Sequence, residues 1–207
     1  IIGQDESVGK NSFLYKMIER DTVPSLLLFG PPGCGKTTIA SVIAKMTKFK
    51  FLKLNATSSG AKEIRDIVPA AQKELQYYGR RTIVFIDEVH RFNRAQQDLL
   101  LPYVENGTFI LIGATTENPY FYVYNAVLSR CTVFEFKSVP KKEIERAVQR
   151  GFSIVEQELK QTIQLEDGVA AYIATACGGD VRKAMNAVEL CSLSADKTED
   201  GRYVTLE

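Results

Sequence analysis

Nearly continuous apolar runs alternate with segments of helical periodicity through the first two thirds of the chain. The runs at 25–29 and 82–86 show no polar alternation, which predicts strands buried on both faces, as in a parallel sheet. Between 39 and 46, apolar residues recur at i, i+3, i+4 and i+7, on one face of a helix. Strands that alternate with helices predict a doubly wound α/β fold with a parallel sheet.

The other elements of this part follow from the same two periodicities. They are strands at 50–55, 109–114 and 132–136, and helices at 61–77 and 96–104. Pro69 weakens the helical prediction for 61–77, because proline in a helix interior removes a backbone hydrogen bond.

The pattern changes near Pro140, beyond which helical periodicity dominates. Helices are predicted at about 141–160, 166–177 and 180–194, and a strand pattern returns only at 202–206. A helical lid that follows an α/β domain is the simplest interpretation.

The change of pattern divides the chain into two predicted domains. Residues 1–138 form the α/β domain, and 139–207 form a small all-helical lid domain, with the start of a further C-terminal region at about 200–207. The chain opens at Ile1 without a methionine and stops at Glu207, so we expect a fragment of a longer protein.

Composition narrows the class of protein without identifying it. Of the 207 residues, 45% are apolar and 25% are charged, the balance of a soluble globular protein rather than a disordered one. The net charge of +1 neither requires nor excludes nucleic acid, because a local basic stripe disappears in a balanced total. No apolar run approaches about 18 residues and no signal peptide opens the chain, so we expect no membrane partner.

The four cysteines, Cys34, Cys131, Cys177 and Cys191, are widely spaced and form no C-x-x-C pair. This spacing argues against a zinc site or a disulfide framework. Reduced thiols in a cytoplasmic compartment fit best.

A phosphate-binding loop follows the first apolar run. It matches G-x-x-x-x-G-K-[ST] in full, with the residues Gly30, Pro31, Pro32, Gly33, Cys34, Gly35, Lys36 and Thr37. Glycines let backbone N–H groups turn toward phosphate oxygens, and the following helix adds free donors and a favourable dipole. Lys36 would contact the β- and γ-phosphates of ATP, Thr37 would offer its hydroxyl to Mg²⁺, and Thr38 extends the nucleotide-binding set.

An acidic pair, Asp87 and Glu88, ends the second buried run. Asp87 would hold Mg²⁺, directly or through water, and Glu88 would activate the attacking water as general base. The alternative for Asp87 is a cap on the next turn. The run 87–90, Asp-Glu-Val-His, also resembles the acidic box of two-lobed helicases, but the remaining residues are too few and too helical for a second lobe. His90 is either a neighbour of the acidic pair or a satisfied surface histidine.

Three further polar positions are candidates for sensing the γ-phosphate. Thr116, with Asn118 as second choice, follows an apolar strand whose carboxyl end lies beside the phosphate site, and a strand-to-turn cap is the alternative. Arg130 would reach a neighbouring subunit as an arginine finger, or else form a surface salt bridge. Arg182 begins the last helix after its predicted N-cap, Asp180, and would lean from the lid onto the phosphates unless it is merely solvated.

Taken together, these motifs resemble AAA+ ATPases of the clamp-loader and Holliday-junction-motor branch. The segments at 87–98, 101–107 and 112–119 read DEVHRFNRAQQD, LPYVENG and IGATTENP. They are most similar to the replication-associated recombination protein A family, whose eukaryotic relatives are the Werner-helicase-interacting ATPases. The resemblance covers about residues 1–195.

This resemblance implies a P-loop ATPase with ATP and Mg²⁺ as cofactors, stimulated by DNA and acting at stalled or gapped replication forks. It implies a homo-oligomer, usually a tetramer formed through a C-terminal domain, with single-stranded DNA-binding protein and the replisome as possible partners. It also implies that Gly3 and Gln4 lie near the adenine. The implied location is the bacterial cytoplasm, with the nucleoid, or the nucleus in a eukaryote.

Candidates for DNA contact are the basic residues Arg80, Arg81, Arg91, Arg94, Lys141 and Lys142. Arg91 and Arg94, with Phe92 between them, would touch phosphates without reading the base sequence, and a solvated helix face is the alternative. Two other functions stay open: a clamp loader with the same chemistry, and a recruitment scaffold that ATP binding switches.

Overall fold

The computed structural model describes residues 2–4, 8–9, 12–198 and 201–206, with the backbone alone described for 196–198. The described residues form two compact units. The first unit contains the described residues 8–9, 12–30 and 36–136, and the second contains 2–4, 31–35, 137–198 and 201–206. None of the described helices is both long and apolar enough to cross a bilayer.

A five-stranded parallel sheet forms the centre of the first unit. Its strands are β1 (Leu26–Phe29), β2 (Lys50–Asn55), β3 (Thr82–Asp87), β4 (Ile110–Thr115) and β5 (Thr132–Glu135). The order across the sheet is β2-β3-β4-β1-β5. All six residues of β4 are buried, which is what its apolar sequence requires of a central strand covered on both faces. The predicted parallel sheet of an α/β fold is confirmed.

Helices accompany the strands of this unit. They are α1 (Phe13–Glu19), α2 (Lys36–Thr47), α3 (Ala61–Tyr78), α4 (Arg94–Asp98), α5 (Leu101–Glu105), α6 (Pro119–Tyr122) and α7 (Asn125–Leu128), with a 3₁₀ turn at Val89–Arg91. The helix predicted at 96–104 is in fact two, α4 and α5. Pro102 lies in the first turn of α5. The first turn of a helix does not need the backbone N–H that proline lacks, but the interior of one continuous helix would need it.

Helix α3 runs through Pro69 without ending. Pro69 is exposed, while Ile64, Val68 and Ala71 are buried on the opposite face. The apolar face packs in the same cluster as Leu54, Val84 and Leu111 of the sheet. Burial of this face therefore outweighs the hydrogen bond that Pro69 cannot make.

The second unit contains α8 (Lys141–Leu159), α9 (Val169–Ala176) and α10 (Val181–Ser194). It also contains a three-stranded sheet of β6 (Thr162–Leu165), β7 (Asp196–Thr198) and β8 (Gly201–Val204), in the order β6-β8-β7. The prediction of an all-helical lid is therefore wrong.

The strand pattern at 202–206 corresponds to β8, whereas β6 and β7 were not predicted because each is short, and the partner of β6 is distant in sequence. In β6 the side chain of Ile163 is buried between exposed neighbours, and four residues are too few for a period-2 signal to stand out. Parallel pairing of β6 with β8 joins Thr162 to Gly201. Gly201 has a φ of 149°, and a Cβ there would overlap the Thr162 carbonyl, so this register requires glycine.

Candidate nucleotide-binding and hydrolysis site

The topology of the first unit gathers the predicted motifs at one edge of its sheet. Strand β4 lies between β1, which leads into the phosphate loop, and β3, which ends at Asp87. Because all these strands are parallel, their carboxyl ends meet at the same edge, where ligands bind in open α/β sheets. The backbone N–H of Gly30 donates to the Thr115 carbonyl at 3.2 Å, so the loop starts against the end of β4.

Three glycines give the phosphate loop its shape. Gly30, Gly33 and Gly35 have φ values of 148°, 68° and 103°, which side chains with a Cβ rarely adopt. The lysine side chain is buried, and Lys36 Nζ donates to the Gly30 carbonyl at 2.7 Å across the loop. Glycines at positive φ next to a buried ammonium group suit a loop whose backbone N–H groups bind the phosphates of a nucleotide.

The other residues of the phosphate loop differ in their exposure to solvent. Pro31, Pro32 and Thr38 are exposed, Thr37 is half-buried, and Cys34 is buried. The Thr37 hydroxyl and the Asp87 carboxylate carry oxygen atoms, the donor type that Mg²⁺ prefers, so these two residues could hold the ion.

The acidic pair adopts an unusual backbone. Asp87 ends β3 with its carboxylate 3.9 Å from Lys53 Nζ. Glu88 has φ 54° and ψ 43°, in the left-handed region, which costs a non-glycine residue about 1–2 kcal/mol. Such local strain is common at functional sites, where the surrounding structure holds a side chain in place.

The Glu88 carboxylate meets the predicted sensor residue. Thr116 Oγ1 donates to Glu88 Oε2 at 3.5 Å, the long end of the hydrogen-bond range. His90 Nδ1 lies 3.4 Å from the same oxygen and 2.8 Å from Thr115 Oγ1. The structure thus brings Glu88 and Thr116 together and adds His90 and Thr115, while the predicted roles of Glu88 and Thr116 in hydrolysis stay predictions.

His90 is not a surface histidine. Its side chain is only 7% exposed, and its ring meets the Tyr122 ring edge-on with centroids 6.2 Å apart. The Thr115 hydroxyl also accepts from the Glu117 N–H at 2.9 Å. Asn118, the second choice for the sensor, instead caps α6, because its side chain accepts from the Tyr120 N–H at 3.0 Å.

Arg130 is held within its own chain. Its Nη1 donates to the Ala126 carbonyl at 2.7 Å, and its Nη2 forms an ion pair with Glu105. The thiol of the adjacent Cys131 is a poor nucleophile, because burial raises its pKa to about 12.

Within the second unit, the start of α10 contacts the phosphate loop. Asp180 caps this helix by accepting from the N–H groups of Arg182 and Lys183 at 2.9 and 3.2 Å. A Cβ on Gly33 would overlap Asp180 Oδ1, and the Val181 N–H donates to the Gly33 carbonyl at 3.3 Å. The N-cap is predictable from the sequence, whereas the contact with Gly33 joins residues that are distant in the sequence and is not. Arg182 is exposed one residue further on.

Gly3 and Gln4 also lie in the second unit. The Gln4 side chain is buried, donates to the Lys137 carbonyl at 2.6 Å and accepts from the Lys137 N–H at 3.3 Å. Gly3 has a φ of 66°, and a Cβ there would lie 2.8 Å from Val139 Cγ1. These contacts hold Gly3 and Gln4 against 137–139. The position of these two residues near the adenine stays a prediction.

The basic candidates differ in their surroundings. Arg80 donates to Glu74 Oε2 at 2.8 and 2.5 Å, and this hydrogen bond holds the pKa of Glu74 below its usual value. The Arg81 guanidinium lies 5.7 Å from the centre of the Phe49 ring. Arg94 stacks on Tyr124 at 4.5 Å. The remaining candidates, Arg91, Lys141 and Lys142, are exposed.

Comparison with known families agrees with this geometry. Residues 26–139 match the family model described as ATPase family associated with various cellular activities (AAA). In structure, the chain is similar to the RuvB Holliday junction branch migration motor of Thermotoga maritima, with a TM-score of 0.70 and 26% identity. That match covers 85% of this chain and 57% of the other.

Curated relatives confirm the resemblance drawn from the motifs. The chain is 42% identical over 203 residues to replication-associated recombination protein A of Haemophilus influenzae, covering 98% of this chain and 45% of the relative. It is 40% identical to the protein of the same name in Escherichia coli K12, with the same two coverages. It is 38% identical to ATPase WRNIP1 of Dictyostelium discoideum, covering 96% of this chain and 22% of that protein. The chain therefore spans less than half the length of these relatives.

Proposed function

Since this chain belongs to the AAA family of ATPases, we propose that it binds ATP with Mg²⁺ and hydrolyses it to ADP and phosphate. The observation that carries this proposal is the contact of Thr116 with Glu88, at the sheet edge where the phosphate loop also begins. A polarising hydroxyl next to a carboxylate is the arrangement that orients a water for attack on a γ-phosphate.

Each residue of the site has a distinct task. Backbone N–H groups of Gly30–Thr37 bind phosphate oxygens, and Lys36 exchanges the Gly30 carbonyl for the β- and γ-phosphates. Thr37 and Asp87 would hold Mg²⁺, which would neutralise the charge that develops on the transferred phosphoryl group. Glu88 accepts the proton of the attacking water, and Thr116 holds that water in line. Gly3 and Gln4 lie on the adenine side.

Two arginines complete the proposed site. Arg130 of one subunit reaches the γ-phosphate bound by its neighbour, which makes the site intersubunit and a homo-oligomer necessary. Arg182, on the helix whose first residue bonds to Gly33, senses the bound phosphate from the lid. We infer a tetramer for the whole protein, by analogy with the family.

The biological role we propose is a DNA-dependent ATPase at stalled or gapped replication forks, in recombination and genome maintenance. The names of the relatives support this role, as does the similarity to a branch migration motor. DNA without sequence preference, single-stranded DNA-binding protein and the replisome are the proposed partners, in the bacterial cytoplasm at the nucleoid or in a eukaryotic nucleus. A clamp-loader-like or junction-motor-like subunit, or a nucleotide-gated scaffold, are the alternatives.

The test is steady-state phosphate release with and without gapped DNA. Glu88→Gln should lower kcat by about 10²–10⁴-fold, the usual contribution of a general base, while fluorescent ATP still binds. Glu117→Gln is the matched control, since it changes an exposed acid two residues past Thr115 and should leave kcat unchanged. Unchanged phosphate release by Glu88→Gln would refute the catalytic assignment, and a flat response to DNA would favour the scaffold.

A further inference from the structure

A groove of about 390 Å³ opens on the first unit beside α4 and α6. Three consecutive aromatic residues in its wall are exposed to solvent: Tyr120 by 60%, Phe121 by 82% and Tyr122 by 54%. Contiguous exposed apolar surface of this kind usually marks a binding site, because a soluble protein gains nothing by leaving it in water.

The backbone around this groove is fixed rather than loose. Gln97 is buried beneath it, with its Oε1 accepting from the Tyr124 N–H at 2.8 Å and its Nε2 donating to the Phe92 carbonyl at 2.9 Å. These two bonds join the segment after α6 to the turn before α4. A prepositioned platform loses little conformational entropy when a ligand binds.

The charge of the groove indicates its ligand. Among its lining residues in the described part of the chain, Arg94 alone is charged, with its guanidinium 4.5 Å from the centre of the Tyr124 ring and its Nη2 donating to the Tyr124 hydroxyl at 2.9 Å. Asp98 is at the outer limit of an ion pair with it, 4.0 Å away. The exposed Asn125 adds an amide to the rim.

In single-stranded nucleic acid, unpaired bases can stack on aromatic faces, a phosphate can bind a positive charge, and a base edge can bond to an exposed amide. The groove offers all three of these groups. We propose that this aromatic groove, formed by Arg94, Tyr120, Phe121, Tyr122, Tyr124 and Asn125, binds single-stranded DNA by stacking its bases. The inference rests on the proposed DNA-dependent function and names the surface that performs it. Duplex DNA keeps its base faces stacked on each other, so the groove acts on unpaired strands alone.

The experiment measures binding of the full-length protein to a labelled oligothymidylate and to a duplex by fluorescence anisotropy. The double variant Tyr120→Ala with Phe121→Ala should bind the single strand at least about 5-fold more weakly, since stacking on one aromatic ring is worth that much or more. Its affinity for the duplex and its basal ATPase rate should stay unchanged. Phe121→Trp, which keeps an aromatic face, should retain binding.

The matched control is Tyr77→Ala with Tyr78→Ala, two tyrosines of α3 that are each 75% exposed but lie outside the groove. This pair should leave single-strand affinity unchanged. Arg94→Gln should reduce the salt dependence of log affinity by about 0.7, the value for one phosphate contact on a single strand.

The outcomes distinguish a failure of the groove inference from a failure of the proposed DNA-dependent function. If the wild type binds the single strand and the groove variant binds it equally well, the groove inference fails and the DNA-dependent function stands. If the wild type binds no oligonucleotide and DNA leaves its ATPase unchanged, both fail. If the groove variant changes the oligomeric state in analytical ultracentrifugation, the groove is an interface between copies of the chain and the inference is overturned.

Discussion

Two buried threonines of the central sheet should respond in opposite ways to the same substitution. Thr82 begins β3 and Thr115 ends β4, and both are fully buried. The Thr115 hydroxyl contacts His90 Nδ1 at 2.8 Å and the Glu117 N–H at 2.9 Å. The Thr82 hydroxyl is buried with no hydrogen-bond partner among the described residues. Valine replaces each hydroxyl by a methyl group at nearly constant shape.

The magnitudes follow from the partners. Thr115→Val leaves the Glu117 N–H and the His90 ring nitrogen without this bond, a loss of about 1–3 kcal/mol in the free energy of unfolding. Thr82→Val removes a buried hydroxyl that has no bond to lose, so the desolvation cost of about 1–3 kcal/mol disappears. For a chain of this length, 1 kcal/mol shifts Tm by about 2–4 °C.

The assay is thermal unfolding of both variants beside the wild type, followed by ATPase rates. Thr115→Val should lower Tm by about 2 °C or more, and Thr82→Val should raise it by about 2 °C or more. Thr115→Val should also lower kcat with little change in KM, because His90 then no longer holds its position against Glu88. A Tm that falls equally in both variants would refute the reasoning, since it would show that valine fails at these sites for reasons of packing.

One further substitution and one labelling experiment test the phosphate loop and the Cys131 thiol. Gly33→Ala introduces a Cβ that overlaps Asp180 Oδ1 at a φ of 68°, so a fluorescent ATP analogue should bind at least about 10-fold more weakly, and equal affinity in a titration would contradict the predicted loop geometry. With a pKa raised to about 12, Cys131 should be thiolate in a fraction on the order of 10⁻⁴ at pH 8 and resist iodoacetamide until urea unfolds the chain. Mass spectrometry reads this out, and rapid native labelling of Cys131 would count against its burial.

The parallel sheet was predictable because its strands carry the signal within themselves. An uninterrupted run such as 82–86 has few alternatives to a buried strand. The second unit was harder, since β6 has one buried apolar side chain, Ile163, and depends on pairing with β8 some forty residues away. The break between α4 and α5 depends on Pro102, and periodicity alone does not show it because the helical pattern continues across this proline.

The candidate site, like the fold, has parts that the sequence predicts and parts that depend on distant residues coming together. Motif spacing was enough to name Lys36, Asp87 and Glu88, because each follows a buried strand or glycine turn directly. The pairing of His90 with Thr115 depends on how far β3 and β4 extend beside each other, which the register fixes through partners such as Ile86 and Gly113. Strands that are buried on both faces show no apolar–polar alternation, so their sequences do not fix the register and this contact could be found only in three dimensions.

The state of Arg130 bears directly on whether its proposed role is energetically reasonable. Its ion pair with Glu105 joins side chains that are 39% and 46% exposed, and such surface pairs contribute about 0–1 kcal/mol. An arginine finger that accelerates hydrolysis by about 10³–10⁵ lowers the barrier by about 4–7 kcal/mol. Releasing Arg130 from Glu105 therefore costs a small part of what its transfer to a neighbour's γ-phosphate would gain. The internal pair with Glu105 is therefore compatible with the role proposed for Arg130 in an oligomer.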